Sequence, residues 1–311
     1  MGGRDVILVV QKGDHSLGYY DFATGAEIDR VPVDPFPHEF SLSPDGRFAY
    51  LANFGVALAE HGGPGGNTVS VVDIQARRRI GRIDCKSYRR PHDVVFDGNG
   101  RLYILSEGTS TLLVVRDPAS GRIDQMIPTR GEGSHMVSVS RDGSMAFCSN
   151  MESGTVTVVF PKDPERPPVI IGVGKHPEGS VFDAEERRLF VVNRESAEIS
   201  IIDVPGLTLC ESFRTPPGPV RICRDRRLGL LVALYHGRGL AIIDPDNPSH
   251  QRIVDLPERA ISVGFHAASG TALLSTHAHC ICLVDTLAGK CVRSIPTRSD
   301  PDPVAVVSLP A

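Results

Sequence analysis

The sequence predicts an all-β protein, a seven-bladed β-propeller of four-stranded antiparallel blades, and three observations lead to that prediction. First, a segment of about 41 to 44 residues returns as diverged copies along the whole chain, and a repeat of that length is typical of one propeller blade. Second, the copies end alike: two apolar residues precede Asp203, Asp244 and Asp285, which follow one another at steps of 41 residues. Third, 31 glycines and 24 prolines among 311 residues provide the many turns that short strands need.

Each copy predicts four strands, because apolar and small polar residues alternate between turn signals. The second blade illustrates the order. Its strands are expected over residues 38–43, 47–53, 68–73 and 79–84, with the turn Ser43-Pro44-Asp45-Gly46 after the first of them. The same turn chemistry recurs at the corresponding place in the following copies, so the same hairpin is expected there.

The two ends of the chain are predicted to share one blade. Residues 6–33 contain only three strands, whereas six complete blades follow Pro37 and one apolar strand, residues 304–309, ends the chain. Pairing that strand with the first three completes a seventh blade and removes free sheet edges, so residues 1–311 are expected to form a single domain. Deletion of residues 303–311 should then unfold or aggregate the protein.

The second blade carries an insertion. The step from Asp21 to Asp73 is 52 residues, longer than the other steps, and the additional residues fall in the glycine-rich segment 54–67 between the second and third strands. In a propeller this connection lies at the mouth of the central channel. The segment is therefore expected to hang over that mouth, either as a lid or as simple slack.

The composition limits the classes of partner. A net charge of −4 and a pI near 6.3 leave no broad basic surface for nucleic acid, and no apolar run approaches the roughly 18 residues of a membrane span. Seven cysteines without CxxC spacing, and no recognisable signal peptide, predict a reduced cytoplasm. We expect a small-molecule substrate, no nucleic acid and no membrane, and the oligomeric state stays open.

One channel mouth carries the predicted metal site. Aligned copies place three imidazoles and one carboxylate at one equivalent position of consecutive innermost strands, namely His38, His92, His135 and Glu178. The other blades place there Val220 or Arg221, Ala260 or Ile261, and Val304. Neutral imidazoles and one anionic oxygen suit a divalent transition metal, Mn, Fe, Ni, Cu or Zn, better than calcium. Alternatively, each imidazole could lie between blades and bond a backbone carbonyl.

The ends of the second strands predict further polar residues at the same mouth. The candidates for proton transfer are Glu107, Tyr235, His236 and His277. The candidates for substrate binding are Arg194, Arg221, Asn53, Asn150, Asn193 and His61. A cationic rim could clamp a substrate carboxylate or phosphate. Rim salt bridges, and amides that tie the sheets together, would explain the same residues without a ligand.

Two segments resemble a known repeat family. Residues 43–53, SPDGRFAYLAN, and residues 188–193, RLFVVN, look like the YVTN-type propeller repeat, whose last residue is the name-giving Asn. The resemblance covers essentially the whole chain and implies a seven-bladed propeller. Similar propellers include lactonases acting on sugar lactones, the metal-dependent virginiamycin B lyase, copper-binding relatives of the selenium-binding proteins, and proteins without known catalysis. This chain matches no catalytic motif of any one of them.

Together the residues predict a metal-dependent enzyme acting at the channel mouth. Its substrate would be small and polar, with a lactone or another carbonyl, and the reaction a hydrolysis or an elimination. One alternative is a non-catalytic propeller scaffold that binds a protein or a small ligand. Another is an oxidative enzyme that holds Fe or Cu with the same ligands.

Overall fold

The computed structural model describes residues 3–57, 62–225, 227–234, 236–237 and 239–310. Within these ranges 28 strands form seven four-stranded antiparallel sheets, and the one helix is a 3-10 turn, Glu107–Thr109. The innermost strand of each sheet contacts those of its two neighbours, and these contacts form a closed circle. The structure therefore confirms the predicted all-β, seven-bladed propeller.

Four strand positions recur in every blade. The innermost strands are β28 (Pro301–Leu309), β4 (Pro37–Leu42), β8 (Pro91–Phe96), β12 (Ser134–Val139), β16 (Pro177–Phe182), β20 (Pro219–Asp225) and β24 (Ala260–His266). The second strands are β1 (Arg4–Gln11), β5 (Phe48–Asn53), β9 (Leu102–Ser106), β13 (Ala146–Asn150), β17 (Arg188–Asn193), β21 (Gly229–Leu234) and β25 (Thr271–Thr276).

The two outer positions complete each sheet. The third strands are β2 (Ser16–Asp21), β6 (Thr68–Asp73), β10 (Thr111–Val115), β14 (Thr155–Val159), β18 (Glu198–Asp203), β22 (Gly239–Ile243) and β26 (Cys280–Asp285). The outermost strands are β3 (Glu27–Pro32), β7 (Arg78–Asp84), β11 (Gln125–Pro128), β15 (Val169–Gly172), β19 (Thr208–Arg214), β23 (Gln251–Asp255) and β27 (Lys290–Pro296).

The core lies between blades. Each of the seven blade-to-blade interfaces holds one cluster of buried apolar side chains contributed by both sheets. Strands β9 and β10 are buried at every residue, because neighbouring blades cover both of their faces. Strand β27, at the circumference, alternates between exposed and covered positions over most of its length. Burial on two faces explains why the middle strands read as continuous apolar runs.

The chain ends close the ring. Strand β28 pairs antiparallel with β1, from Leu309 opposite Arg4 to Pro301 opposite Gln11. This pairing confirms the predicted closure by the C-terminal strand. The strand begins three residues before the expected Val304, because its ladder with β1 continues through a bulge to Pro301. The earlier start brings additional side chains to the channel mouth.

Every innermost strand has a register shift near its start. In the third blade Pro91 lies opposite Ser106 and Asp93 opposite Leu105, so His92 is the extra residue of a β-bulge. A bulge bends its strand and re-aims the side chain that it carries. The residues predicted to bind metal all occupy this bulged position. Their side chains can therefore point into the channel while the rest of each strand stays paired in its sheet.

Candidate metal centre at the channel mouth

The bulges bring the four predicted metal ligands into one cluster. The ring centroids of His38 and His92 are 4.2 Å apart, those of His92 and His135 are 3.6 Å apart, and those of His38 and His135 are 6.5 Å apart. His92 therefore lies between the other two imidazoles. Glu178 joins from the next blade, with its Oε2 3.1 Å from Nε2 of His135.

His92 is buried, and its ring has no hydrogen-bond partner in the part of the chain that the structure describes. The residue is 1% exposed, and neither Nδ1 nor Nε2 of its ring forms a hydrogen bond with a described residue. His92 therefore does not form, with any described residue, the hydrogen bond to a backbone carbonyl that was the alternative to metal binding. Burial lowers the pKa of His92 well below its usual value, and nearby His135 and His38 lower it further. The ring is therefore neutral, which is the form that ligates a metal.

His135 is held between two carboxylates. Its Nδ1 lies 2.9 Å from Oε2 of Glu107, and its Nε2 lies 3.1 Å from Oε2 of Glu178. Burial lowers the pKa of His135, but Glu178 and Glu107 outweigh it and raise the pKa to about 9. Without a metal, His135 therefore carries a proton at neutral pH, and a metal that binds this ring has to displace that proton.

Two arginines neutralise the carboxylates of the cluster. Arg221 reaches across the channel, with Nη2 2.6 Å from Oε1 of Glu39 and Nη1 3.1 Å from Oε2 of Glu178. Arg194 lies 2.9 Å from Oε1 of Glu178 and donates to Nε2 of His176. Arg221 was predicted to bind substrate at the rim, but its guanidinium is buried on these carboxylates. The side chain of Arg194 is 32% exposed and stays accessible.

The residues present fit a divalent metal. Two groups of three ligand atoms lie within 4.8 Å of one another, His38 with Glu39 and His92, and His92 with Glu107 and His135. Tetrahedral coordination at about 2.0–2.2 Å separates ligand atoms by roughly 3–4 Å, so small side-chain shifts would bring either group onto one ion. Among the groups in these ion pairs the formal charges also favour a cation, because the carboxylates outnumber the guanidinium groups and the protonated His135. The carboxylates are Glu39, Glu107, Glu178 and Asp302, and the guanidinium groups are Arg194 and Arg221.

The insertion begins against the imidazoles. Phe54 is buried, and its ring meets His38 and His92 edge-on at centroid distances of 5.6 and 5.5 Å. Its backbone N–H donates to the carbonyl of Phe36, and its carbonyl accepts from Gly66. The base of the insertion thus covers one side of the cluster with an aromatic ring. Residues 58–61, which include the predicted substrate-binding His61, lie outside the described residues.

The three asparagines at the ends of second strands bond within their own blades. The Asn53 amide donates to Thr68 and Ser70. The Asn150 amide donates to two threonines of β14, and the Asn193 amide donates to Ser200. All three residues are buried. These bonds join the second strand to the third within one blade, whereas the structural role considered from the sequence was an amide that ties neighbouring sheets together.

The predicted proton-transfer residues are placed differently from one another. Strand β9 ends at Ser106, so Glu107 lies one residue beyond the aligned position, at the start of the 3-10 turn, and from there it contacts His135. His236 and His277 likewise follow the ends of β21 and β25, on exposed turns. Tyr235 lies outside the described residues.

The alignment missed two carboxylates of the cluster. Glu39 adjoins His38, and strict alternation assigns neighbours to opposite faces, but the bulge brings both to the channel. Asp302, rather than the expected Val304, occupies the equivalent position of the closing strand. A proline opens five of the seven innermost strands, and alignment on it would have found Asp302. These prolines are Pro37, Pro91, Pro177, Pro219 and Pro301.

Raising the pH is expected to destabilise the metal-free protein. The pKa of His135 is about 9 in the folded chain against a usual 6.5. Its contribution is fully present below the lower value and is lost as the pH rises through the upper one. Between about pH 6 and about pH 9.5, His135 should contribute a loss of roughly 3 kcal/mol in the free energy of unfolding, measured by denaturation of chelator-treated protein. The variant His135→Gln should lose most of this difference, and an unchanged difference would assign it to other groups.

Among the described residues, no helix is long and apolar enough to cross a bilayer.

No family model and no curated protein matches the chain. Solved structures do match. The periplasmic gluconolactonase PpgL of Pseudomonas aeruginosa is 16% identical with a TM-score of 0.78, over 98% of this chain and 100% of that one. A candidate 6-phosphogluconolactonase of Bacteroides fragilis is 12% identical with a TM-score of 0.75, over 99% and 98%.

A third similar structure is the dihydro-heme d1 dehydrogenase NirN in complex with DHE. It is 14% identical with a TM-score of 0.65, over 96% of this chain and 74% of that one. At these identities the likeness shows the propeller fold alone, and proteins that are named for different activities share it. The YVTN-type repeat assignment stays a prediction.

Proposed function

We propose that this protein is a metal-dependent hydrolase of the lactonase type, acting on a small polar substrate at the channel mouth. The observation that carries the proposal is His92, a buried neutral imidazole with both nitrogens unbonded among the described residues, between two other imidazoles. An unpaired buried polar atom costs about 1–3 kcal/mol. A bound ion would offset that cost, because it would take one of the nitrogens as a ligand.

The ligands of the proposed ion are His38, His92 and His135, with a carboxylate from Glu178. When bound, a divalent transition metal would polarise a substrate carbonyl or make water a better nucleophile. Glu107 accepts the Nδ1 proton of His135, which leaves Nε2 of that ring to the ion.

The remaining groups of the cluster position the ligands and handle substrate. Arg221 holds Glu39 and Glu178 by ion pairs, which fixes both carboxylates beside the imidazoles. Glu107 is the carboxylate that we assign to proton transfer, because it contacts His135 from the turn that follows β9. Arg194 is accessible and can donate hydrogen bonds to substrate oxygens.

The comparisons support a lactone as the substrate class. Two of the matched propellers are named for gluconolactone chemistry, and opening a lactone by hydrolysis needs the polarised carbonyl and the activated water that a metal with an acid–base carboxylate supplies. Elimination from a similar substrate uses the same groups. We place the protein in the cytoplasm, on the strength of its seven unpaired cysteines.

A non-catalytic binding scaffold is the second candidate function, and the ion pairs of Glu178 favour it. Without any metal, Glu178 already contacts His135, Arg194 and Arg221, and such a closed network could merely brace the channel of a binding scaffold. In that case the imidazoles would have no catalytic role. Removal and return of the metal separates the two functions.

The test is metal-dependent turnover of gluconolactone. Protein purified without a histidine tag would be stripped with a chelator, reloaded separately with Mn, Fe, Ni, Cu or Zn, and assayed for acid release against spontaneous hydrolysis. We expect activity that follows one equivalent of metal and disappears in His38→Ala. The control is His266→Ala, a buried histidine paired with Asp5 away from the cluster, which should keep activity. A chain that takes up no ion, and turns over no lactone in any form, would support the scaffold instead.

A further inference from the structure

The closing strand contributes a buried carboxylate to the cluster. Asp302 is 4% exposed and occupies the bulged position of β28 that His38 occupies in β4. Its Oδ2 lies 3.0 Å from Nδ1 of His38. Its Oδ1 is buried with no hydrogen-bond partner among the described residues. A buried carboxylate with an unpaired oxygen is costly unless a polar or charged group offsets the cost.

The contact between Asp302 and His38 is close but incomplete. The two atoms are at ion-pair distance, yet Nδ1 of His38 is not aligned for a hydrogen bond with any described residue. Catalytic hydrogen bonds are often poorly aligned without ligand and tighten when the ligand binds. A small rotation of the imidazole would align its Nδ1–H with the carboxylate, and Nε2 would then be the nitrogen that is available to an ion.

Carboxylates have a common role behind metal-bound histidines. Such a histidine donates its second N–H to a carboxylate, which selects the tautomer, orients the ring and makes the metal-binding nitrogen more basic. Glu107 stands in that relation to His135, with its Oε2 2.9 Å from Nδ1. Asp302 lies at the corresponding place beside Nδ1 of His38, at 3.0 Å, on the opposite side of His92.

We infer that Asp302 is a positioning residue of the metal centre: it accepts the Nδ1 proton of His38 and so presents Nε2 of that ring to the ion. The inference rests on the proposed metal site. It also makes the metal site depend on ring closure, because Asp302 of the last strand then orients the ligand His38. Metal binding should accordingly favour the paired state of β28.

The test is zinc affinity of Asp302→Asn, Asp302→Glu and the matched control Asp300→Asn. Asp300 lies two residues earlier and its side chain is 60% exposed, so its variant should bind zinc like the natural chain. We expect Asp302→Asn to bind zinc about 10–100-fold more weakly and Asp302→Glu to recover part of that loss. Equal affinities of Asp302→Asn and Asp300→Asn would overturn the inference.

A spectroscopic readout on the unmodified chain keeps the inference testable if Asp302→Asn does not fold. In zinc-loaded protein, nitrogen NMR of the His38 ring should show a protonated Nδ1 and a metal-bound Nε2. The opposite tautomer would overturn the inference while leaving the metal site intact. Absence of stoichiometric zinc binding by the unmodified chain would overturn the proposed function itself, so the two failures are distinguishable.

Discussion

A chain that lacks residues 303–311 is expected to lose cooperative melting and to aggregate. The deletion removes most of β28 and leaves β1 with an unpaired edge, which is a template for association with other chains. It also removes Val304, which is buried at the interface of the first and last blades, and Val306, which packs against the same cluster. Burying one such side chain contributes about 1.5–3 kcal/mol, and a domain is stable by only about 5–15 kcal/mol in total.

The control for this deletion is a chain that lacks only residues 310–311, which follow the end of β28 at Leu309. It should melt like the full chain, because the ladder between β28 and β1 stays complete. The measurement is thermal denaturation followed by circular dichroism, with light scattering for aggregation. Cooperative melting of the longer deletion at an unchanged temperature would contradict closure by the C-terminal strand.

Replacement of His92 by leucine is expected to abolish stoichiometric metal binding without destabilising the metal-free protein. His92 belongs to both groups of candidate ligand atoms, so its loss should weaken metal binding by more than the roughly 10–100-fold that a supporting residue costs. Leucine has a similar volume, and it removes two buried nitrogens that have no hydrogen-bond partner among the described residues. Removal of such groups is neutral or stabilising when the shape is kept.

The measurement pairs zinc titration with thermal melting in chelator, for His92→Leu and for the control His266→Leu. His266 is also buried, but its nitrogens contact Ser269 and Asp5. The control should therefore bind zinc normally and melt at a lower temperature. The reverse result, a destabilised His92→Leu that still binds zinc, would assign His92 to packing.

The repeat in the sequence predicts most of the fold. Asp203, Asp244 and Asp285 are 41 residues apart; in the structure Asp203 and Asp285 end third strands, and Asp244 directly follows the end of another at Ile243. They predicted the blades because one blade cannot bury both faces alone and each copy therefore repeats the same pattern. The approximate convergence of His38 and His92 followed from the same alignment. The sequence predicts this convergence because equivalent residues of successive blades lie at the same level along the axis of the ring.

The remainder of the site depends on departures from the repeat. Bulges place Glu39 beside His38 at the channel, which a period of two does not predict. The pairing of Arg221 with Glu39 joins residues 182 positions apart, and it depends on how far a guanidinium reaches across the channel. Asp302 was missed because the apolar alternation after Val304 looked like the whole strand. Each of these features is set by side-chain reach or local backbone irregularity rather than by hydrophobic pattern.

The proposed metal site is one ion held by imidazoles from three consecutive blades. Its most direct test is zinc K-edge X-ray absorption of tag-free protein loaded with one equivalent of zinc. We expect three imidazole nitrogens and a carboxylate oxygen at about 2.0–2.2 Å. A zinc ion bound by fewer than two imidazoles, or a chain that does not retain one equivalent of zinc, would contradict it.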